Sequence, residues 1–132
     1  MADKPQAIEL DKPLLVAQDI PAQLPILPLS DVVVFPHMIA PLLVSSPQSI
    51  HLIDDVVAGS RLIGVTLQTD PNLERPRYEH LNKIGCVARV ARMLKFPDET
   101  VRVLILGLKR MRIESVVNEE PYLVARITPL DD

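Results

Sequence analysis

Aromatic residues, glycine and cysteine are scarce in this chain of 132 residues, and tryptophan is absent. Aromatic residues make up 3% of the sequence, although 48% of the residues are hydrophobic. The core must therefore be built from Val, Ile, Leu, Met and Ala, and the β-branched members of that set favour strands. A chain of this length forms one domain and buries roughly two-thirds of the surface that it exposes when unfolded.

The single cysteine, Cys86, has no second thiol in the sequence with which to form a disulfide or a zinc site. This composition fits a reducing compartment. No apolar run approaches the ~20 residues needed to cross a bilayer, and the first residues lack the charged-then-apolar pattern of a signal peptide. We therefore expect a cytoplasmic, bacterial protein that does not contact a membrane.

Residue patterns typical of catalysis are also missing. Residues 59–66 (GSRLIGVT) have the glycine spacing of a P-loop, but Val65 stands where the phosphate-binding lysine is required. The segment also follows a predicted helix and precedes a strand, which is the reverse of the P-loop order. The three histidines, His37, His51 and His80, share no metal-ligand spacing. We predict no catalytic residue, no metal or nucleotide site, and no cofactor.

Prolines divide the first third of the chain. Residues 1–23 show no sustained hydrophobic period and are expected to form a mobile lead-in, with the domain spanning residues 24–132. Residues 24–29 (LPILPL) are predicted to form an edge strand, because Pro25 and Pro28 cannot donate hydrogen bonds to strands on both sides. Residues 30–44 follow as apolar stretches broken by two further prolines.

One helix is indicated by its boundary residues. Ser46 is a suitable N-cap, Pro47 suits the first helical position, and Gly59 marks the end. Ile50, Ile53 and Val57 recur at helical spacing and are predicted to form the buried face.

A β-hairpin gives the clearest strand signal. Residues 84–96 and 100–117 flank a short polar turn at residues 97–99, and the alternation of charged and apolar residues over 109–114 is typical of a strand with one buried face. Gly107 is predicted to mark a bend or bulge in the long second arm. With further strands over 61–68 and 121–130, we expect six or seven strands and one helix, a mainly β fold.

Two segments resemble the amino-terminal LON domain of the ATP-dependent Lon protease family. Residues 24–44 (LPILPLSDVVVFPHMIAPLLV) are similar to its opening strands, and residues 94–113 (LKFPDETVRVLILGLKRMRI) to its hairpin, although Glu99 occupies a turn position that is often Gly. The resemblance implies a small PUA-like β-barrel with one flanking helix. In the intact protease this domain precedes a helical region, an ATPase and a serine–lysine peptidase, so this chain is expected to be an excised domain.

The resemblance further implies a non-catalytic domain that helps to recognise unfolded or damaged proteins for a hexameric protease. Such a receptor needs exposed, adaptable apolar surface. Two segments offer it, a bend after the first strand and the tip of the hairpin, although both phenylalanines could instead be core anchors. The candidate substrate-binding residues are Phe35, Pro36, Met38 and Ile39 in the bend, next to His37, and Met93, Leu94, Phe96 and Pro97 at the tip.

Two other functions compete with this one. Residues 75–112 carry ten basic and three acidic side chains, a net charge of +7, and PUA-like folds can bind RNA. However, Tyr78 and Phe96 are the only aromatic residues in that stretch, too few for a platform on which bases stack, so nucleic acid is not the expected partner. The third possibility is a free-standing LON-like module with an unknown ligand.

Overall fold

The computed structural model describes residues 20–73 and 76–130. Most of the predicted lead-in, residues 1–19, therefore lies outside the described residues, and the limits of the domain stay a prediction. The described residues form six strands, one α-helix and a short 3-10 helix, Tyr78–His80. In chain order they are β1 Gln23–Leu29, β2 Ile39–Val44, α1 Pro47–Ala58, β3 Leu62–Leu67, β4 Ile84–Lys95, β5 Val101–Asn118 and β6 Val124–Pro129.

Five of the strands close into a ring. β3 pairs with β4, β4 with β5, and β5 with β6, each pair being antiparallel. β1 closes the ring, because it pairs antiparallel with β6 and parallel with β3. The 18-residue strand β5 is paired with β4 along one edge. Along its other edge it pairs first with β2 and then with β6. This arrangement confirms the predicted mainly β, barrel-like fold with one helix.

Strand β1 is not the edge strand that its prolines predicted. Its first residues pair with β6, from Gln23 opposite Arg126, and its last four residues pair with β3. Ile26 donates its N–H to the Leu123 carbonyl on the β6 side at 2.8 Å. Backbone groups alternate in direction along a strand. The nitrogen of Pro25 therefore faces β3 just before the β1–β3 pairing begins at Ile26, and the nitrogen of Pro28 faces the β6 side beyond the β1–β6 pairing, which ends at Pro25. Neither missing N–H therefore costs a sheet hydrogen bond.

Two apolar clusters form the core, and β1 separates them because its alternate residues enter different clusters. Leu24 and Ile26 belong to the second cluster, whereas Leu27 and Leu29 belong to the first. The first cluster also contains the buried face of α1. Burying one such aliphatic side chain stabilises the fold by roughly 1.5–3 kcal/mol, so aliphatic residues alone can build this core.

Helix α1 begins and ends where the sequence predicts. The Ser46 side chain accepts a hydrogen bond from the Ser49 N–H at 3.2 Å, which caps the first turn. The buried face is centred differently from the prediction, on Leu52, Ile53 and Val56. The prediction also included Ile50 and Val57. Both are only partly buried and pack at the margin of the first cluster.

The predicted hairpin is confirmed, with Lys95 of β4 opposite Val101 of β5. Its turn is closed by the Phe96 N–H, which donates to the Thr100 carbonyl at 3.0 Å. Glu99 in this turn has a φ of 71°, a left-handed conformation that favours glycine. The predicted irregularity at Gly107 is also present, because the β4–β5 register shifts between Val87 and Ala88, where Gly107 pairs with Ala88.

Candidate functional site

Strand β2 carries large aliphatic side chains on a face that no core covers. Its buried residues alternate with exposed ones, and Ile39 and Leu43 are 63% and 62% exposed. Ala40 and Leu42 point the other way, into the first cluster. Single exposed aliphatic side chains are common on protein surfaces, but several on the same face of a strand form a patch that can bind an apolar partner.

Three rows of side chains, each exposed or partly exposed, continue this face from β2 across β5 to β4. Residues paired opposite each other in a sheet project to the same side, so the strand register defines each row. Every residue of the rows is apolar or arginine, and we call them together the β2–β5–β4 face. The rows are Ile39, Leu106 and Arg89; then Pro41, Leu104 and Arg92; then Leu43, Arg102 and Leu94.

The bend over residues 35–39 lies at one end of this face. Phe35 is 58% exposed, and its carbonyl accepts a hydrogen bond from the Met38 N–H at 3.1 Å, next to the start of β2 at Ile39. The bend is fixed to β5 because the His37 N–H donates to the Gly107 carbonyl at 2.8 Å, and the Gly107 N–H donates to the Met38 carbonyl at 2.8 Å. Met38 differs from the prediction, since its side chain is partly buried and packs against the first cluster.

The hairpin tip lies at the other end of the face. Phe96 is 37% exposed, and the Arg102 guanidinium carbon lies 5.3 Å from its ring centroid, a cation–π contact. Pro97 is exposed and Leu94 is partly exposed. Met93, in contrast, packs against the first cluster from the opposite side of β4.

The structure therefore does not bring the two predicted segments to one point. Ile39 and Val44 are the ends of β2, and at about 3.4 Å per residue they lie about 17 Å apart, with the bend at one end and the tip at the other. Residues between them complete the apolar surface, and sequence reasoning missed them. These residues are Pro41, Leu43, Leu104 and Leu106.

A groove of about 670 Å³ lies between α1 and the hairpin tip. The Lys95 ammonium is 3.1 Å from the Asp54 carboxylate across it, which holds the tip against the helix. Nearby, the Tyr122 hydroxyl donates to Asp55 Oδ2 at 2.7 Å, and His51 Nε2 is 3.5 Å from the same oxygen. Desolvation, followed by the hydrogen bond and charge of Asp55, raises the pKa of Tyr122 to about 12. This cluster attaches residues before β6 to α1.

Most cations of the basic 75–112 stretch have partners within the domain. Arg77 pairs with Glu119 at 2.6 Å, and Lys83 donates to two backbone carbonyls. The Lys83 ammonium also lies 4.4 Å from the Tyr78 ring centroid. Because Tyr78 is occupied in this way, it is poorly placed to stack on a nucleic-acid base.

Within residues 20–73 and 76–130, no group of three His, Cys, Asp or Glu side chains is arranged to hold a metal ion. Over the same residues, no helix has the length and apolar character needed to span a membrane. Cys86 is fully buried in the first cluster, where a thiol packs as a small apolar group.

Comparison with known proteins gives one consistent match. A family model described as the ATP-dependent protease La (LON) substrate-binding domain matches residues 23–132. The Lon protease of Dictyoglomus thermophilum is 39% identical over 122 residues, covering 92% of this chain and 15% of that relative. The Lon protease of Flavobacterium johnsoniae is 43% identical over 115 residues, covering 87% of this chain and 14% of that relative. This chain thus spans about one-seventh of the length of these curated relatives.

Two solved structures share the fold. A Lon N-terminal domain protein from Xanthomonas campestris superimposes with a TM-score of 0.64 at 20% identity, covering 83% of this chain and 60% of that one. The N-terminal domain of the Mycobacterium avium complex Lon protease also gives a TM-score of 0.64, at 17% identity, covering 83% of this chain and 55% of that one. At such identities the likeness supports the architecture alone.

Proposed function

Because this chain belongs to the family of LON substrate-binding domains, we propose that it is a non-catalytic module that binds unfolded or damaged protein segments for an ATP-dependent Lon-type protease. The resemblance expected from residues 24–44 and 94–113 is confirmed by this membership. The observation that carries the proposal is the β2–β5–β4 face, together with the exposed Phe35 in the bend before β2.

The size of the exposed side chains limits the affinity. Burying Phe35, Ile39 and Leu43 against a partner would contribute roughly 1.5–3 kcal/mol each, and the loss of translational and conformational freedom offsets part of that gain. We therefore expect micromolar or weaker binding, about −8 kcal/mol or less in magnitude. In a homo-hexameric protease, six copies would add avidity because the first contact raises the effective concentration for the next.

Catalysis is assigned to other parts of the protease. The sequence shows no pattern typical of a nucleotide site, since residues 59–66 lack the P-loop lysine, and no motif typical of a nucleophile with its base. We infer that the isolated chain neither hydrolyses ATP nor degrades casein, and that it acts in the cytoplasm. Turnover above that of a mock-purified control would contradict the first inference.

Substitution on the face tests the proposal directly. The double variant Ile39→Ser and Leu43→Ser should weaken binding of a denatured model protein by about tenfold or more, because it removes roughly 1.4 kcal/mol or more of apolar contact. Its unfolding midpoint should change little, since both side chains are more than 60% exposed.

Val117→Ser is the matched control for this experiment. Val117 is also an exposed aliphatic side chain, 40% accessible, but it lies near the far end of β5 and outside the three rows. This variant should bind the denatured protein like the wild type. Equal loss of binding in both variants, or no loss in either, would refute recognition by the β2–β5–β4 face.

A further inference from the structure

Two arginines lie on the β4 side of the face. Arg92 is exposed and Arg89 is partly exposed, and they lie opposite Leu104 and Leu106 of β5. The ion pairs of the described residues engage other cations, such as Arg77, and leave both guanidinium groups without a carboxylate among residues 20–73 and 76–130. The face is therefore apolar along β2 and positively charged along β4.

Arg102, the third arginine of the face, is less available to bind a partner. Its guanidinium lies over the Phe96 ring, and its charge contributes to lowering the pKa of Asp98, after the larger effect of hydrogen bonds from Thr100. The open cationic positions are thus Arg89 and Arg92, on neighbouring rows. A guanidinium offers several N–H donors that match a carboxylate, so an acidic side chain is its natural complement.

Among residues 20–73 and 76–130, β2 is an edge strand, paired on the β5 side only, and its other edge is a poor template for strand addition. The Gly107 N–H donates to the Met38 carbonyl, so the even-numbered residues of β2 direct their backbone groups towards β5. Ile39, Pro41 and Leu43 direct theirs away from β5. Since Pro41 has no N–H, a peptide pairing along this edge would lack the central donor of the ladder. A bound peptide therefore gains more binding free energy from contacts with the side chains of the β2–β5–β4 face than from backbone hydrogen bonds along the edge of β2.

The spacing between strands determines which pattern of peptide side chains fits the β2–β5–β4 face. Neighbouring strands lie about 4.8 Å apart, and residues i and i+2 of an extended peptide point the same way at about 6.7 Å separation. A peptide lying across the strands can therefore place an apolar side chain between β2 and β5. Its residue two positions further on then lies over β4, within reach of Arg89 or Arg92.

We propose that the β2–β5–β4 face selects extended polypeptide segments in which apolar residues are spaced two positions from Asp or Glu, with the carboxylates on Arg89 and Arg92. This selectivity deepens the proposed function and rests on it. It predicts that the charge of an unfolded segment, and not its apolar content alone, determines how well it is captured.

The test uses three unstructured peptides with the same apolar residues, which carry Glu, Gln or Lys at the alternate positions. The wild-type chain should bind the Glu peptide about tenfold more tightly than the Lys peptide. The double variant Arg89→Gln and Arg92→Gln should lose that difference and keep its affinity for the Gln peptide. The control Arg126→Gln, an exposed arginine on β6, should retain the difference.

The outcomes separate the two proposals. Equal binding of the Glu and Lys peptides by the wild type would overturn the selectivity while leaving apolar capture intact. Failure to bind any peptide would overturn both. Lost binding of a Glu peptide that is N-methylated at alternate amides would show strand addition and overturn docking on the face. An RNA oligonucleotide that binds more tightly than the Glu peptide, and depends on Arg89 and Arg92, would also overturn the selectivity.

Discussion

Gly107 of β5 lies directly against the backbone of Phe35, so that a Cβ atom added at residue 107 would be 2.2 Å from the Phe35 carbonyl oxygen. Two hydrogen bonds join the same segments, from the His37 N–H to the Gly107 carbonyl and from the Gly107 N–H to the Met38 carbonyl. The absence of a side chain at residue 107 thus permits the close approach that holds the bend containing Phe35 against β5.

Gly107→Ala should destabilise the domain by about 1–3 kcal/mol, the usual cost of overpacking. The added methyl group meets backbone atoms, which cannot move without breaking the two hydrogen bonds of the bend. Gly64→Ala is the control, because its Cβ would meet side-chain ends that can shift, Met111 Cε at 2.7 Å and Ile26 Cδ1 at 2.8 Å, and no backbone atom at that distance. Denaturant unfolding should rank Gly107→Ala as the more costly change, and the reverse order would contradict this account of the bend.

Glu99→Gly should stabilise the hairpin by about 0.5–1 kcal/mol. A non-glycine residue in the left-handed region costs about 1–2 kcal/mol, and the greater flexibility of unfolded glycine offsets about 0.5–1 kcal/mol of the gain. Glu99 has a φ of 71°, so Glu99→Val should instead lower the unfolding midpoint. Thermal unfolding of the two variants provides the measurement, and a midpoint shift of the same sign in both would argue against strain at this turn.

Thr66→Val should cost about 1–2 kcal/mol, because it removes the hydrogen bond that a buried hydroxyl donates and leaves the acceptor carbonyl without that donor. Thr66 is 3% exposed, and its hydroxyl donates to the Asn82 carbonyl at 2.8 Å. Thr69→Val removes a similar hydroxyl contact to the His80 carbonyl, but at an exposed site, and should change stability by less than about 0.5 kcal/mol. Equal effects of the two substitutions in chemical unfolding would count against the buried hydrogen bond.

The stability of the domain should fall at alkaline pH through Tyr122. The pKa of this phenol is raised from 10.0 to about 12 in the folded chain. Its contribution is fully present below pH 10.0, the unfolded value, and is lost as the pH rises towards the folded value. Tyr122→Phe should flatten this part of the stability profile, whereas Tyr78→Phe should retain it because Tyr122 remains in place. An unchanged profile in Tyr122→Phe would assign the alkaline loss to other groups.

The hairpin and the limits of α1 could be predicted because their signals are local. Polar residues mark the turn, and Ser46 and Pro47 satisfy the first turn of the helix whatever surrounds it. The position of β1 could not be predicted in this way. Pro25 and Pro28 keep a strand out of the centre of a sheet only where a neighbouring strand would need their missing N–H groups. The positions at which the β3 and β6 pairings begin and end depend on the whole ring of strands, and not on the local sequence of β1.

The site was predicted only in part, for a related reason. Every residue of β2 is apolar, so composition alone does not tell which side of the strand meets the core. Adjacent residues in a strand face opposite ways, and Met93 and Leu94 therefore cannot both join one surface. Pro41 was the available signal, since proline in an apolar run indicates an edge strand and hence a face that fewer neighbours cover.

The antiparallel pairing of β1 with β6 has a mechanical consequence. Gln23 lies opposite Arg126, and the Ile127 N–H donates to the Ala22 carbonyl at 2.9 Å, so residues 22 and 127 sit at the same end of this strand pair. Tension applied between residues 20 and 130 would pull on the hydrogen bonds at this end of the pair first and break them one after another. It would not load all of them at once, as a shear force along the strands does. The ring should consequently open at low force, and optical-tweezers pulling between those two positions would measure it; resistance typical of a sheared strand pair would contradict this geometry.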